Sequence, residues 1–565
     1  MTDLTAAPFH LDIDARAWVE RTLADMTDEQ KLGQLFCLIT YTSDPGYLQY
    51  LTRGLHVGGV MLRTMPAEEA VSAVGILQES AAVPLLISAN LEGGTSQTVV
   101  EATHVGSNMA LAAAADPDLA RDAARVIARE ARSVGINWAF TPVADIDLAF
   151  RNPITNTRTF GSDAQRVADL STAYIEGLQS EGLAASAKHF PGDGVDERDQ
   201  HLLASVNTMS VEEWDDTFGR VYRAAIDAGV KSVMVGHIML PAYTRALRPG
   251  ITDEQIMPGI VAEELLNDLL RDRLGFNGLI VSDSTTMAGL ATVLPRSRAV
   301  PEVIAAGCDM FLFTKNLEED YAFMRAGLRD GVLTRERLDE AVTRILALKA
   351  SLGLHESNPV PSVDAARGVL TSPEHREVEA EVTRRSITLV KEESGVLPLT
   401  PERYKRILVH GLEAGGSPIG QGARAGAVEQ FIDRLTAAGH DVTVFQPGGG
   451  WEGLAAPTTD ITDSYDLILY LANLSTRSNQ TVVRIEWAEP MGANVPTYLT
   501  SVPTVFVSFE NPYHLFDVPR VRTFINTYGS SPAVLDSLLE ALQGRAEFVG
   551  ASPVDAFCGR WDTRL

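Results

Sequence analysis

The stretch AASAKHFPGDGVDERDQH, residues 184–201, decides how the chain is read. It opens as a short apolar strand and delivers Lys188 and His189 to that strand's end. It then breaks at Pro191, Gly192 and Gly194 into a loop crowded with ionisable side chains, among them Asp199 and His201. A buried strand tipped with a Lys-His pair and followed by a polar loop has the character of an active-site wall. Adjacent side chains on a strand point to opposite faces. The pair can therefore converge only if the strand breaks there, which Pro191-Gly192 predicts.

Working outward, apolar strands are expected at 33–40, 57–62, 84–90, 136–143, 183–187, 232–236, 278–282 and 309–313, most of them separated by amphipathic helices. Asp116-Pro117 supplies a cap and an N1 proline ahead of Leu119, Ala123, Val126 and Ile127, and Gly135 ends that helix. Residues 163–182 repeat the pattern and stop at Gly182. Ser210 and Glu213 have capping-box spacing before Trp214, Phe218 and Val221. Eight short apolar strands alternating with helices predict an α/β chain with an N-terminal (β/α)8 TIM-like barrel; a doubly wound sheet is the alternative. In a barrel, functional groups sit where strands end. Asn90 and Glu92, Asp145 and Asp147, Lys188 and His189, His237, Asp283, and Thr314 with Lys315 all follow expected strands.

The barrel pattern stops near Leu354. Gly353 ends a helix carrying Leu338, Val342, Ile345 and Leu346, and Pro359, Pro361 and Ser362 mark a linker. The expected organisation is a catalytic barrel over 1–354, a linker and lead-in helix over 355–383, and a C-terminal α/β sandwich domain over 384–565. The lead-in helix is placed near 373–390. Strands in the second domain are expected at 406–410, 441–445, 467–471, 504–508 and 523–527, with a helix at 532–543.

The bulk properties exclude several partners. A length of 565 residues calls for more than one core. The net charge of −27 opposes binding to nucleic acid and to anionic membrane surfaces. Cys37, Cys308 and Cys558 lie far apart, so neither a disulfide framework nor a zinc site is expected. No signal peptide and no bilayer-length apolar run is visible, and a cytoplasmic location is the expectation. The sequence does not read on oligomeric state, and a homodimer stays open.

Each chemical candidate has a plain alternative. Asp283 follows GLIVS, residues 278–282; a carboxylate there is costly unless used or paired, but it could cap the next turn. Asp199 and His201 have a spacing that lets the carboxylate orient the ring for proton transfer. Glu197-Arg198 beside them fits a solvated polar loop equally well. Lys188 could cap barrel carbonyls or form a Schiff base. Lys188, His189, His201, His237 and Asp283 also suit a metal-dependent barrel by residue type. Such barrels carry a His-x-His pair on the first strand, and 33–40 has no histidine, so no metal site is assigned. IGQGARAG, residues 419–426, lacks the spacing of a phosphate-binding GxGxxG turn.

Taken together, these stretches resemble glycoside hydrolase family 3, in particular its two-domain β-N-acetylglucosaminidase and phosphorylase type. KHFPGDG (188–194) with Asp199-Gln200-His201 resembles the loop of that branch, and VSDSTTM (281–287) the segment bearing the catalytic aspartate. FTPVADID (140–147), RTFGSD (158–163), VMVGHI (233–238), ARVIARE (124–130) and MTDEQKLGQLF (26–36) match further blocks in order. RRSITLVKEESGVLPL (384–399) and NPYHLFDVP (511–519) extend the resemblance through the second domain.

The resemblance implies a retaining exo-β-N-acetylglucosaminidase that needs no cofactor. Asp283 would be the nucleophile and His201, oriented by Asp199, the acid/base. Asn90, Arg158, Lys188, His189 and His237 would bind the sugar. Substrates would be N-acetylglucosaminides, with glucosides as a side activity, in carbohydrate metabolism such as cell-wall recycling. Two residues depart from the family pattern: Asn90 replaces the usual aspartate in NLEGG, and Asp193 stands where many relatives carry histidine. A carboxylate acid/base 4 Å from an incoming phosphate would repel it by about 4 kcal/mol at an effective dielectric of 20. Histidine would not. Inorganic phosphate is therefore the expected acceptor and co-substrate, giving a sugar 1-phosphate. A strict hydrolase, a Schiff-base lyase through Lys188 and a non-catalytic sugar-binding protein are the alternatives.

Overall fold

A computed structural model describes residues 2–357, 360–413, 425–446, 457–476, 478–482, 484–487 and 492–565. Eight parallel strands form one sheet in chain order: β1 (Cys37–Ile39), β2 (Gly59–Met61), β3 (Leu86–Ala89), β4 (Trp138–Ala139), β5 (Ala184–Phe190), β6 (Ser232–Val235), β7 (Leu279–Ser284) and β8 (Met310–Leu312). A parallel bridge between Phe36 and Phe311, with the Phe311 N–H donating to the Leu35 carbonyl at 2.7 Å, joins the first strand to the last. The sheet is thus a TIM-like barrel, as the alternation of apolar strands and amphipathic helices predicts, rather than a doubly wound sheet.

The helices start and stop where their punctuation says. Helices span Pro117–Ser133 and Ala164–Ser180, and both Gly135 and Gly182 take positive φ behind them. The Ser210–Glu213 capping box is formed at the head of Val211–Asp216. Two strand expectations are corrected. Residues 33–34 close a helix, Asp28–Gln34, because a Thr27–Gln30 capping box starts it. The fourth strand is two residues long, since Pro142 has no N–H to give the ladder, and pairing returns as a single bridge, Val143 to Lys188.

The second compact unit has its own sheet: β9 (Thr388–Lys391), β10 (Arg406–Glu413), β11 (Asp441–Val444), β12 (Leu467–Asn473), β13 (Thr504–Ser508) and β14 (Thr523–Asn526), in the order β9-β14-β13-β12-β10-β11. All pairings are parallel except β9 with β14. Alternate residues of β10 and β12 feed two apolar cores, Ile407, Val409 and Leu469 on one face and Leu408, Ile468 and Tyr470 on the other. The lead-in helix is shorter than expected, Pro373–Ser386; the β-branched run after it pairs as β9 instead. The expected boundaries put residues 1–354 in one domain, but two stretches of them, Val105–Asp116 and Asp147–Asp163, group with this second unit. The Gly-rich stretch 419–426 lies outside the described residues apart from its last two.

Candidate active site

Seven of the eight expected site residues, Asn90, Lys188, His189, Asp199, His201, His237 and Asp283, belong to the unit that holds the barrel. β5 runs through Lys188 and His189, and its register against β6 shifts between Ala187 and Phe190. That irregularity puts both side chains to use. Lys188 Nζ lies 2.7 Å from Glu92 Oε1 and donates to Asn90 Oδ1 at 3.4 Å. His189 turns the other way, its Nδ1 2.7 Å from Asp145 Oδ2.

Asp145 is buried and saturated. One oxygen takes the His189 ring; the other accepts the backbone N–H groups of His189 at 3.0 Å and Asp193 at 2.8 Å. With Asp145 accepting, Nδ1 of His189 carries the proton and Nε2 faces Asp283 Oδ2 at 3.9 Å. Asp283 sits near the end of β7, and one of its oxygens accepts the Ser284 N–H at 2.6 Å. Burial alone would raise its carboxyl. The charges of His189, His237 and His201, in that order, and the Ser284 N–H outweigh it and hold Asp283 below the usual carboxylate range. It is thus an anion at neutral pH.

His237 follows β6 and has no exposed surface. Its Nε2 donates to the Ser284 carbonyl at 2.9 Å. Burial pushes its pKa down in spite of the pull of Asp283 and of that carbonyl. In this geometry His237 braces the strand end that carries Asp283. Arg296 braces it further on, donating to the Thr285 carbonyl at 2.6 Å and pairing with Asp320.

His201 is reached through the loop that follows β5. Gly192 starts the turn at φ +120°, where a side chain would strike Phe218. The Trp214 indole holds the Pro191 carbonyl at 2.8 Å, and Asn207 holds that of Gly192 at 3.1 Å. Asp199, fully buried, accepts both the His201 backbone N–H at 2.9 Å and its Nδ1–H at 2.7 Å. That leaves Nε2 as the ring nitrogen available for proton transfer. The ring keeps 24% of its surface exposed, and its charge acts on Asp283.

Arg158 belongs to the second unit. It lies on the Asp147–Asp163 segment, donates to the Ile154 carbonyl at 3.0 Å, and its own carbonyl accepts from Asn108 at 2.8 Å. Asp147 anchors that segment by accepting from Tyr513 Oη and Thr155 Oγ1, each at 2.6 Å, and Asn156 reaches Asn511 at 3.3 Å. The conjunction of NPYHLF with FTPVADID and RTFGSD is thus physical. Gly161 permits it, since a Cβ there would lie 2.3 Å from the Pro553 carbonyl oxygen.

In the sequence Glu92 and Asp145 stand out only as strand-end polars, with no role attached; the signal is their position alone. Glu92 matters for charge, because a carboxylate does meet Lys188 although residue 90 is asparagine. Among the described residues no cluster of three or more metal-ligating side chains occurs.

The comparisons agree with this architecture. The family model described as glycosyl hydrolase family 3 N terminal domain matches residues 27–348. The chain is 77% identical over 565 residues to a protein of Cellulomonas fimi named beta-N-acetylglucosaminidase/beta-glucosidase, covering 100% of both. Among solved structures, a beta-glucoside phosphorylase, BglX, superposes with a TM-score of 0.93 at 40% identity, over 99% of each chain. A family 3 beta-N-acetylglucosaminidase from Paenibacillus sp. str. FPU-7 gives 0.80 at 26%, over 94% of this chain and 99% of that one. This chain belongs to glycosyl hydrolase family 3.

Proposed function

We propose that the protein is a retaining β-N-acetylglucosaminidase, with β-glucosidase activity, that passes its glycosyl group to inorganic phosphate. Asp283, held ionised, attacks the anomeric carbon and forms a glycosyl ester while the leaving oxygen takes a proton from His201 Nε2. Asp199 keeps the His201 proton on Nδ1 and stabilises the imidazolium. In the second step hydrogen phosphate, already an anion, attacks the anomeric carbon and breaks its bond to Asp283, which leaves as the carboxylate; the phosphate proton returns to His201 Nε2, and the product is a sugar 1-phosphate. Lys188 and His189, fixed by Glu92 and Asp145, bind sugar hydroxyls, with Asn90 beside them. His237 positions the nucleophile strand.

The observation that carries this reading is the His201–Asp199 pair at 2.7 Å, with its ring charge felt at Asp283. An imidazole does not repel an anionic acceptor as a carboxylate would. The names of the Cellulomonas fimi relative and of the beta-glucoside phosphorylase support the two halves of the proposal, substrate and acceptor.

Product analysis tests it. With an aryl β-N-acetylglucosaminide, phosphate should raise turnover and divert product from free sugar to the sugar 1-phosphate, and an aryl β-glucoside should behave likewise. Free sugar alone, at a rate indifferent to phosphate, would make the protein a strict hydrolase.

A further inference from the structure

Gln200 lies between the two residues of the acid/base pair and points the other way. Asp199 and His201 bind each other, whereas the Gln200 side chain runs into the protein and is 1% exposed. Its Nε2 donates to Asp193 Oδ2 at 3.1 Å, and its Oε1 accepts the His237 backbone N–H at 2.8 Å. Only this amide orientation satisfies both partners, because the flipped one would set two donors and two acceptors against each other. The surroundings leave room for it. A Cβ at Gly236 would lie 2.6 Å from Gln200 Oε1, and one at Gly289 would lie 2.6 Å from the Gln200 carbonyl oxygen.

Both partners lead on to groups that frame the chemistry. Asp193 is buried; its N–H is fixed on Asp145, which also holds the His189 ring, and its Oδ1 accepts the Gly194 N–H at 2.7 Å. His237 passes the connection to the Ser284 carbonyl, and the Ser284 N–H rests on Asp283. An unbroken chain thus runs Asp145, Asp193, Gln200, His237, Ser284, Asp283, buried as far as His237. Gln200 is the link through which the loop bearing His201 joins it. The backbone adds two ties, from Ala288 N–H to the His201 carbonyl at 3.0 Å and from Ser205 N–H to the His237 carbonyl at 3.1 Å.

We propose that Gln200 and Asp193 form a positioning clamp that sets the distance between the His201 ring and the bond broken at Asp283. The inference rests on His201 being the acid/base and Asp283 the nucleophile. Within the clamp, Asp193 serves to hold the Gln200 carboxamide. Proton transfer in the transition state depends steeply on donor distance, and a misplacement of about 1 Å can cost about 100-fold. The clamp matters most when the leaving group needs its proton, and little when it leaves readily as an anion.

The test compares kcat/KM for an alkyl and a 2,4-dinitrophenyl β-N-acetylglucosaminide. Gln200→Ala should lose about 100-fold on the alkyl substrate and under about 3-fold on the activated one. Gln200→Glu sets two carboxyls together where one proton must be shared. Relative to wild type it should match the alkyl activity near pH ~5 and fall away toward pH ~8, and this contrast is read within one folded protein. His201→Ala runs in parallel. If it slows both substrates alike, the acid/base assignment falls and the clamp with it. If His201→Ala discriminates between the substrates but Gln200→Ala does not, or Gln200→Glu tracks wild type at both pH values, the clamp alone is wrong.

Discussion

Two histidine–aspartate pairs face Asp283, and each has the same bond: Nδ1 to a carboxylate oxygen at 2.7 Å. His189–Asp145 sits on a barrel strand with its ring side chain 6% exposed. His201–Asp199 sits on a loop with its ring 24% exposed. Asp145 also carries two backbone N–H groups, from His189 and from Asp193 where the loop leaves the strand; Asp199 accepts that of His201 itself. Identical pair chemistry therefore serves two ends. A pair wired into the strand holds a ring still beside the sugar. A pair on a loop leaves its second nitrogen open to an incoming acceptor and can exchange a proton with it.

The largest effect removes what both pairs act on. Asp283→Asn should lower kcat by about 10⁴-fold or more while the fold persists, as loss of a covalent nucleophile does elsewhere. Retention of more than a tenth of the activity would discard Asp283 as nucleophile.

Next comes the loop pair. His201→Ala should cost roughly 10²–10⁴-fold in kcat/KM on alkyl glycosides and little on dinitrophenyl glycosides, the range expected for a general acid. Asp199→Asn should follow the same dependence at about a tenth of the severity, since the ring remains but loses its anionic partner. If Asp199→Asn equals wild type on alkyl glycosides, the aspartate is structural only.

The strand pair should fail differently. Asp145→Ala strands the N–H groups of His189 and Asp193 and the His189 ring inside the barrel. At about 1–3 kcal/mol for each buried unsatisfied donor, unfolding by urea should register a loss of roughly 3 kcal/mol or more. Asp199→Ala, on the part-exposed loop, should lose less stability and more activity. The reverse ranking would overturn the division of labour between the pairs.

The barrel is legible because its strands end in polar residues and its helices carry caps and stop signals. The two ends of the site are legible to different depths. Asp283, Lys188 and His189 announce themselves at strand tips. Asp145 stands at a tip too, but nothing local says which ring it meets, since its partners lie 44 and 48 positions away. Gln200 looks like a spacer within Asp-x-His, because side-chain direction in an irregular loop follows no period. Arg158 falls within residues 1–354, the stretch expected to form the barrel domain. Its segment groups instead with the second unit, through Asp147–Tyr513 and Asn156–Asn511, pairings with more than 350 residues between partners that no periodicity can announce.

The finest distinction between the pairs is electrostatic. Asp283 must be ionised to attack, so kcat/KM rises with pH through the Asp283 pKa in the free enzyme. A cation nearby lowers that pKa and pushes the acidic limb to lower pH. Of the three rings His189 contributes most and His201 least. On a dinitrophenyl glycoside, where acid assistance is dispensable, His189→Gln and His201→Gln should both move the limb to higher pH, with His189→Gln moving it further. An equal or reversed displacement would mean that the loop ring, not the strand ring, is the principal cation at the nucleophile.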